Sequence, residues 1–93
     1  MAAIEDLTRV QVRDGVTWRD FGEETVVLDL QSGTYYGLNP TAVRALELLA
    51  DGATVGGAVE TLAAEFDASS QQIRVEVGSL CAELAARGLV ELH

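Results

Sequence analysis

The first part of the chain alternates apolar and polar residues with a period of two, which predicts half-buried β-strands. Val10 to Val12 and Val16 to Trp18 flank an Asp14-Gly15 pair. Asp-Gly favours the tight turn of a β-hairpin, so the pattern predicts that these two segments pair with each other. Trp18 is expected to anchor the packing of this hairpin.

A second pair of strands is predicted at Val26 to Leu30 and Thr34 to Leu38, joined by a turn at residues 31–33. The even-numbered apolar residues of the first strand lie on one face. In the second strand, Tyr36 and Leu38 are expected in the core and Tyr35 is expected to be exposed. The pattern leaves open whether Thr8 to Arg13 forms a fourth strand of this sheet.

Beyond Leu38 the apolar residues recur at the spacing of α-helices. Asn39 and Ser69 are suitable N-caps, and glycines at 52 and 88 are suitable stops. The predicted helices are Pro40 to Ala50, Val55 to Phe66 and Ser70 to Arg87. Leu89, Val90 and Leu92 form an apolar tail that can fold back on the core.

Composition limits the functions that this chain can perform. Its 93 residues are enough for one domain, spanning residues 1–93, and 48% of them are hydrophobic, which is typical of a folded chain. All six cations are arginine and the formal net charge is −9. The absence of lysine excludes lysine-based phosphate loops and Schiff-base chemistry. Binding to nucleic acid is disfavoured because it depends on a basic surface.

Neither a catalytic group nor a metal site is visible in the sequence. The single histidine is the last residue, His93, and the single cysteine, Cys81, stands among apolar residues of the third helix. We therefore expect a protein that is not an enzyme and has no cofactor or metal. The absence of a signal peptide, of a membrane span and of a possible internal disulfide predicts a cytoplasmic protein that does not bind membranes.

Strands followed by three helices predict an α+β domain like a winged helix-turn-helix, with a three-stranded antiparallel sheet. Domains of this kind often bind DNA through the last helix. The exposed positions of that helix carry no net positive charge, which argues against DNA. They include Gln71, Gln72, Arg74, Glu76, Glu83 and Arg87.

One long segment resembles a known family, the PqqD-like recognition elements of ribosomally synthesised peptide (RiPP) biosynthesis. It reads TYYGLNPTAVRALELLADGATVGGAVETLAAEFDASSQQIRVEVGSLCAELAARGLVEL. The resemblance extends over Val16 to Leu92 and is most specific at Tyr36-x-Leu38-Asn39, Asp51-Gly52 and Arg87-Gly88-Leu89. Within the family, the chain looks most like the stand-alone leader-binding proteins of lasso-peptide pathways.

The resemblance implies that the leader of a precursor peptide adds as a strand to the edge at Thr34 to Leu38. Its side chains would enter a cleft between this strand and the third helix, whose wall would include Arg74, Gly78, Cys81 and Ala85. The implied peptide-binding residues are Val27, Leu28, Tyr35, Tyr36, Gly37, Arg74, Val77, Gly78 and Cys81. The implied further partners are a leader peptidase and a macrolactam cyclase. The chain itself is expected to be a monomer or weak dimer.

Several of these residues also have a purely structural interpretation. Gly37 indicates either a close backbone approach or a bulge, and Gly78 and Cys81 either open a groove or ease helix packing. If Thr8 to Arg13 covered the edge at Thr34 to Leu38, no leader could add there.

Three other functions remain open at this point. The first is a PqqD-type chaperone that delivers a peptide to a radical SAM enzyme. The second is a winged-helix transcriptional regulator, and the third is a dimerisation module that uses the same strand edge.

Overall fold

The structure is a computed structural model that describes residues 4–93, and its five strands form two separate antiparallel sheets. In chain order the elements are β1 (Val10–Val12), β2 (Val16–Asp20), β3 (Thr25–Asp29), β4 (Tyr35–Leu38), α1 (Pro40–Ala50), α2 (Val55–Glu65), α3 (Ser70–Ala86) and β5 (Val90–Leu92). The larger sheet has the order β2-β3-β4, and the smaller one pairs β1 with β5. The α+β class and the three-stranded sheet followed by three helices are thereby confirmed.

The three helices begin where the sequence predicts and end within one residue of the predicted positions. The Asn39 side chain accepts a hydrogen bond from the Ala42 amide at 2.8 Å, and Ser69 does the same for Gln72 at 3.1 Å. These bonds satisfy amides that the first helical turn leaves without a partner. The ends are set by residues at which the chain leaves the helical path, among them Gly52 and Gly88 with positive φ.

A single hydrophobic core lies between the larger sheet and the helices. The sheet contributes Val27 and Leu38 to this core. Thr25 is the cross-strand partner of Leu38, and Val27 lies two residues after Thr25. The Val27 and Leu38 side chains therefore lie on the same, inner face of the sheet. Trp18 is half-buried and packs against this core, as expected. Leu89 and Val90 are also buried, so the C-terminal tail does fold back on the core.

The predicted hairpin between Val10 to Val12 and Val16 to Trp18 is wrong. The turn itself is present, because Gly15 has φ +85° and the Val16 amide donates to the Arg13 carbonyl at 3.1 Å. The two strands diverge after it: β1 pairs with β5, and β2 pairs with β3. Asp-Gly specifies a reversal of direction over four residues, but the partner of each strand is decided by which apolar residues it can bury.

The question of a fourth strand in the larger sheet is answered by the same pairing. β1 lies within the Thr8 to Arg13 segment and is hydrogen-bonded to β5, so it does not cover β4.

In the first strand of the second predicted pair, the even-numbered apolar residues Val26 and Leu28 lie on the outer face of the sheet. β3 ends at Asp29, and Leu30 beyond it is exposed. Only Val27, between Val26 and Leu28, faces the helices and is fully buried.

Candidate functional site

β4 is the last strand of its sheet, and one of its edges has no strand beside it in the described part of the chain. The Asp29 amide donates to the Thr34 carbonyl at 2.9 Å, which fixes the phase of the ladder between β3 and β4. Because antiparallel partners alternate, the even-numbered residues of β4 bond to β3. The backbone N–H and C=O groups of Tyr35 and Gly37 therefore point to the free edge, where another strand can bind them.

A cleft of about 280 Å³ lies beside this edge, between β4 and α3. Its lining is mostly apolar, and α1 forms its floor. The lining residues are Tyr36, Gly37, Asn39, Thr41, Ala42, Ala45, Val75, Glu76, Val77, Ser79 and Leu80. An edge strand next to an apolar cleft offers a peptide both backbone hydrogen bonds and a place for alternate side chains.

The wall of the cleft on α3 is one flank of that helix. Val75 and Ser79 are four residues apart, as are Glu76 and Leu80, so the four share one face. Val75 remains 66% exposed although it is apolar. An apolar side chain that lines a cleft without being covered is a candidate contact for a ligand.

The residues that the resemblance places in the cleft wall on α3 do not line this cleft. Cys81 belongs to the buried stripe of α3 together with Val77, and Arg74, Gly78 and Ala85 lie on the flank beyond that stripe. The spacing of apolar residues identifies the buried stripe of α3. It does not show which of the two flanks of that stripe faces β4, because the position of β4 depends on the fold.

The structure places the nine predicted peptide-binding residues in four different environments. Tyr36, Gly37 and Val77 line the cleft. Tyr35 and Leu28 are cross-strand partners on the outer face, where Tyr35 is 70% exposed.

The other four predicted residues lie away from the cleft. Val27 and Cys81 are each 1% exposed and belong to the core. Gly78 lies on the other flank of α3, and Arg74 on that flank forms an ion pair with Asp6.

The sequence prediction missed the contribution of α1 to the cleft, which consists of Thr41, Ala42 and Ala45. Two of these three are alanines. Small residues at the start of α1, directly after β4 and the Asn39 cap, leave room beside the strand. This pattern in the sequence is the signal that could have predicted the contribution of α1 to the cleft.

The Tyr36 ring is held at the α3 side of the cleft by Arg87. The Arg87 guanidinium carbon lies 4.7 Å from the ring centroid, within the range of a cation–π contact. Arg87 also pairs with Glu83, one turn earlier on α3. The charge of Arg87 is thus already engaged by the protein, and its position orients a residue of the cleft.

The Cys81 thiol is not suited to nucleophilic chemistry. Burial raises its pKa to about 11, because the surroundings disfavour the charged thiolate. At neutral pH the side chain is therefore a buried apolar group.

Within residues 4–93 there is also no group of three or more His, Cys, Asp or Glu residues that could hold a metal ion. None of the described helices is long and apolar enough to cross a membrane.

Comparison with solved structures gives two similar folds. One is TbiB1 in complex with the TbiA(beta) leader peptide, with a TM-score of 0.76 and 28% identity over 87% of this chain and 94% of that one. The other is lasso peptide synthetase B1 complexed with the leader peptide, with a TM-score of 0.80 and 23% identity over 89% and 98% of the two chains. A search of the curated proteins gave no match.

The family model described as coenzyme PQQ synthesis protein D (PqqD) matches residues 24–90. The matched segment begins just before β3 and ends in β5, so it contains β4, the cleft and all three helices. Because it covers well over half of the chain, this protein belongs to the PqqD family.

Proposed function

We propose that this protein binds the N-terminal leader of a ribosomally synthesised precursor peptide in lasso-peptide biosynthesis. The leader adds as a strand to the free edge of β4 and directs alternate side chains into the cleft against α3. The observation that carries the proposal is the juxtaposition of an uncovered strand edge with an apolar cleft.

The contacts proposed for the leader follow from this geometry. Its backbone bonds to the N–H and C=O groups of Tyr35 and Gly37. Its inward side chains meet Tyr36, Leu80 and the exposed Val75. Similarity to TbiB1, whose structure holds a leader peptide, supports this mode of binding.

The protein acts in this proposal by presenting the peptide and needs no chemical step of its own. The bound precursor is delivered in the cytoplasm to a separate leader peptidase and a macrolactam cyclase. The inert Cys81 and the mostly apolar cleft are consistent with a binding role.

The PqqD family match favours one second candidate, a peptide chaperone for a radical SAM enzyme. Both functions use the same cleft and differ in the enzyme that receives the peptide. Capture of a cyclase and peptidase, or of a radical SAM enzyme, by the purified complex with its precursor distinguishes them.

Binding is tested by fluorescence anisotropy with a labelled leader peptide of a lasso-peptide precursor. Gly37→Pro removes the outward N–H and places a ring at the edge, while the bonds of β4 to β3 are kept. We expect Gly37→Pro to weaken binding by about tenfold or more, since it combines the loss of a hydrogen bond with steric exclusion. Gly37→Ala keeps the N–H and is the matched control.

Two further measurements make the result independent of the folding of the proline variant. N-methylation of successive peptide amides is expected to weaken binding at every second residue, as strand addition requires. Hydrogen exchange at Tyr35 and Gly37 is expected to slow when peptide is added. Exchange that is already slow in the free protein, or N-methylation effects without a period of two, would contradict the proposal.

A further inference from the structure

A carboxylate lies over the one residue of β4 that has no side chain. The Glu24 carboxyl carbon is 3.6 Å from the point that a Cβ on Gly37 would occupy, and its Oε1 is closer still. Any side chain at position 37 would need this space. Gly37 thus leaves room for Glu24, from the turn just before β3, to lie over β4.

The backbone around Glu24 is fixed by a short turn between β2 and β3. The Phe21 amide donates to the Glu24 carbonyl at 2.8 Å, and the Gly22 amide donates to the Asp20 side chain at 2.8 Å. Gly22 has φ +95°, a conformation that this turn requires and that glycine adopts without strain. The turn holds the Glu24 backbone just before β3, two residues before Val26, the cross-strand partner of Gly37.

The charge of Glu24 is not matched by a cation of the protein. In residues 4–93, no Lys, Arg or His nitrogen lies within 4.0 Å of this carboxylate, whereas Arg44, Arg74 and Arg87 each have a carboxylate partner. A peptide strand that adds to β4 is therefore placed next to an unpaired negative charge.

The register of the sheet shows which residue of the bound peptide lies next to the Glu24 carboxylate. Side chains alternate between the two faces of a strand, and a residue directly opposite Gly37 has its side chain on the same face as Glu24. Its same-face neighbours in the ligand lie two residues away on either side. The residue opposite Gly37 therefore lies beside the Glu24 carboxylate, on the face away from the apolar cleft.

We infer that Glu24 is a specificity-determining residue that selects a lysine or arginine in the bound peptide at the position opposite Gly37. This inference rests on the proposed strand addition and adds a charge requirement on the outer face of the peptide. Opposite charges that face each other across strands change affinity by about two- to fivefold. The effect is modest but limited to a single register position.

A charge-swap experiment tests this requirement. Each residue of the labelled leader peptide is replaced in turn by Lys, Gln and Glu, and the Kd of each peptide is measured with the wild-type protein and with Glu24→Lys. At one position, the wild-type protein is expected to bind Lys about two- to fivefold more tightly than Glu. Glu24→Lys is expected to reverse that preference at the same position, and both effects are expected to shrink at high salt.

Glu23→Lys is the matched control, because it makes the same change of charge at an exposed position in the same turn. If it reverses the preference as strongly as Glu24→Lys, or if no position responds to Glu24→Lys while the peptides still bind, the inference is overturned. Gly37→Ala, whose methyl group displaces the Glu24 carboxylate, is expected to reduce the preference as well.

The failure of the proposed function would look different. In that case the unmodified leader peptide would not bind, or N-methylation would show no period of two, whatever residue stands at position 24. Strand addition without a charge preference would leave the proposed function intact and remove only the role of Glu24.

Discussion

Val75 and Gly78 stand only three residues apart on α3 but on opposite sides of its buried stripe. Val75 lines the cleft and is exposed, and Gly78 lies on the other flank, where an added Cβ would meet no atom within 4 Å. Substitutions at these two positions therefore distinguish the flank that binds peptide from the flank that does not.

We expect Val75→Ser to weaken leader binding by about three- to tenfold, because it removes apolar surface that the peptide would cover. The free energy of unfolding should change by no more than about 0.5 kcal/mol, since the side chain is exposed. Gly78→Ala should leave the Kd unchanged and stabilise the fold by up to about 1 kcal/mol through its higher helix propensity. Anisotropy titrations and urea unfolding of both variants measure these effects. A larger loss of affinity for Gly78→Ala would place the peptide on the other flank.

Residues of the site differ in how far the sequence alone determines their role. The strand pattern predicts an exposed Tyr35 and a buried Leu38, and both are found. The same pattern gives no information on Glu24, because its proximity to Gly37 depends on the register between β3 and β4. Contacts set by one element are predictable from the sequence, and contacts across elements require the fold.

The pairing of β1 with β5 connects the two ends of the described chain. The Arg9 amide donates to the His93 carbonyl at 3.0 Å, and the His93 amide donates to the Arg9 carbonyl at 2.9 Å. Just before β5, the Leu89 side chain is fully buried. This small sheet packs against the helices, with β5 on α3 and β1 on α1.

Leu89→Ala is expected to lower the free energy of unfolding by about 2–5 kcal/mol, which is typical of a buried leucine that leaves a cavity. Leu92→Ala, at a half-buried position of β5, should have a smaller effect. Urea unfolding followed by circular dichroism compares the two. A loss for Leu89→Ala as small as that for Leu92→Ala would mean that Leu89 contributes little to the core.

The helices were predictable as elements, whereas the strand pairing at the N-terminus was not. Helix ends depend on neighbouring residues, such as Asn39 beside Pro40 or Ser69 beside Ser70, and these are visible in the sequence. β1 and β5 are about eighty residues apart in the sequence, and β5 was predicted only as an apolar tail. Local turn chemistry at Asp14-Gly15 could not indicate a partner so distant along the chain.

At the scale of the whole molecule, the net charge of −9 separates this protein from winged-helix proteins that bind DNA. Phosphate contacts require cations, and three of the six arginines form ion pairs with carboxylates of the protein itself. The fold resembles that of DNA-binding domains, but the surface charge disfavours a polyanion.

We expect no saturable binding of duplex DNA at protein concentrations of tens of micromolar, even at about 50 mM salt, where electrostatic contacts are strongest. The labelled leader peptide in the same buffer is the positive control for the anisotropy measurement. Saturable binding of DNA that weakens with added salt would instead support a transcriptional regulator.

The β1–β5 ribbon has a further consequence for the architecture of larger proteins. It holds Arg9, near the start of the described chain, beside His93, and neither strand contributes to the lining of the cleft. A domain of this shape can be inserted as a cassette into a loop of another protein with little distortion of its host. The same ribbon would let a linker join the two ends of the described chain, so that a circular permutant opened at the Asp51-Gly52 loop would keep β4 and its cleft intact.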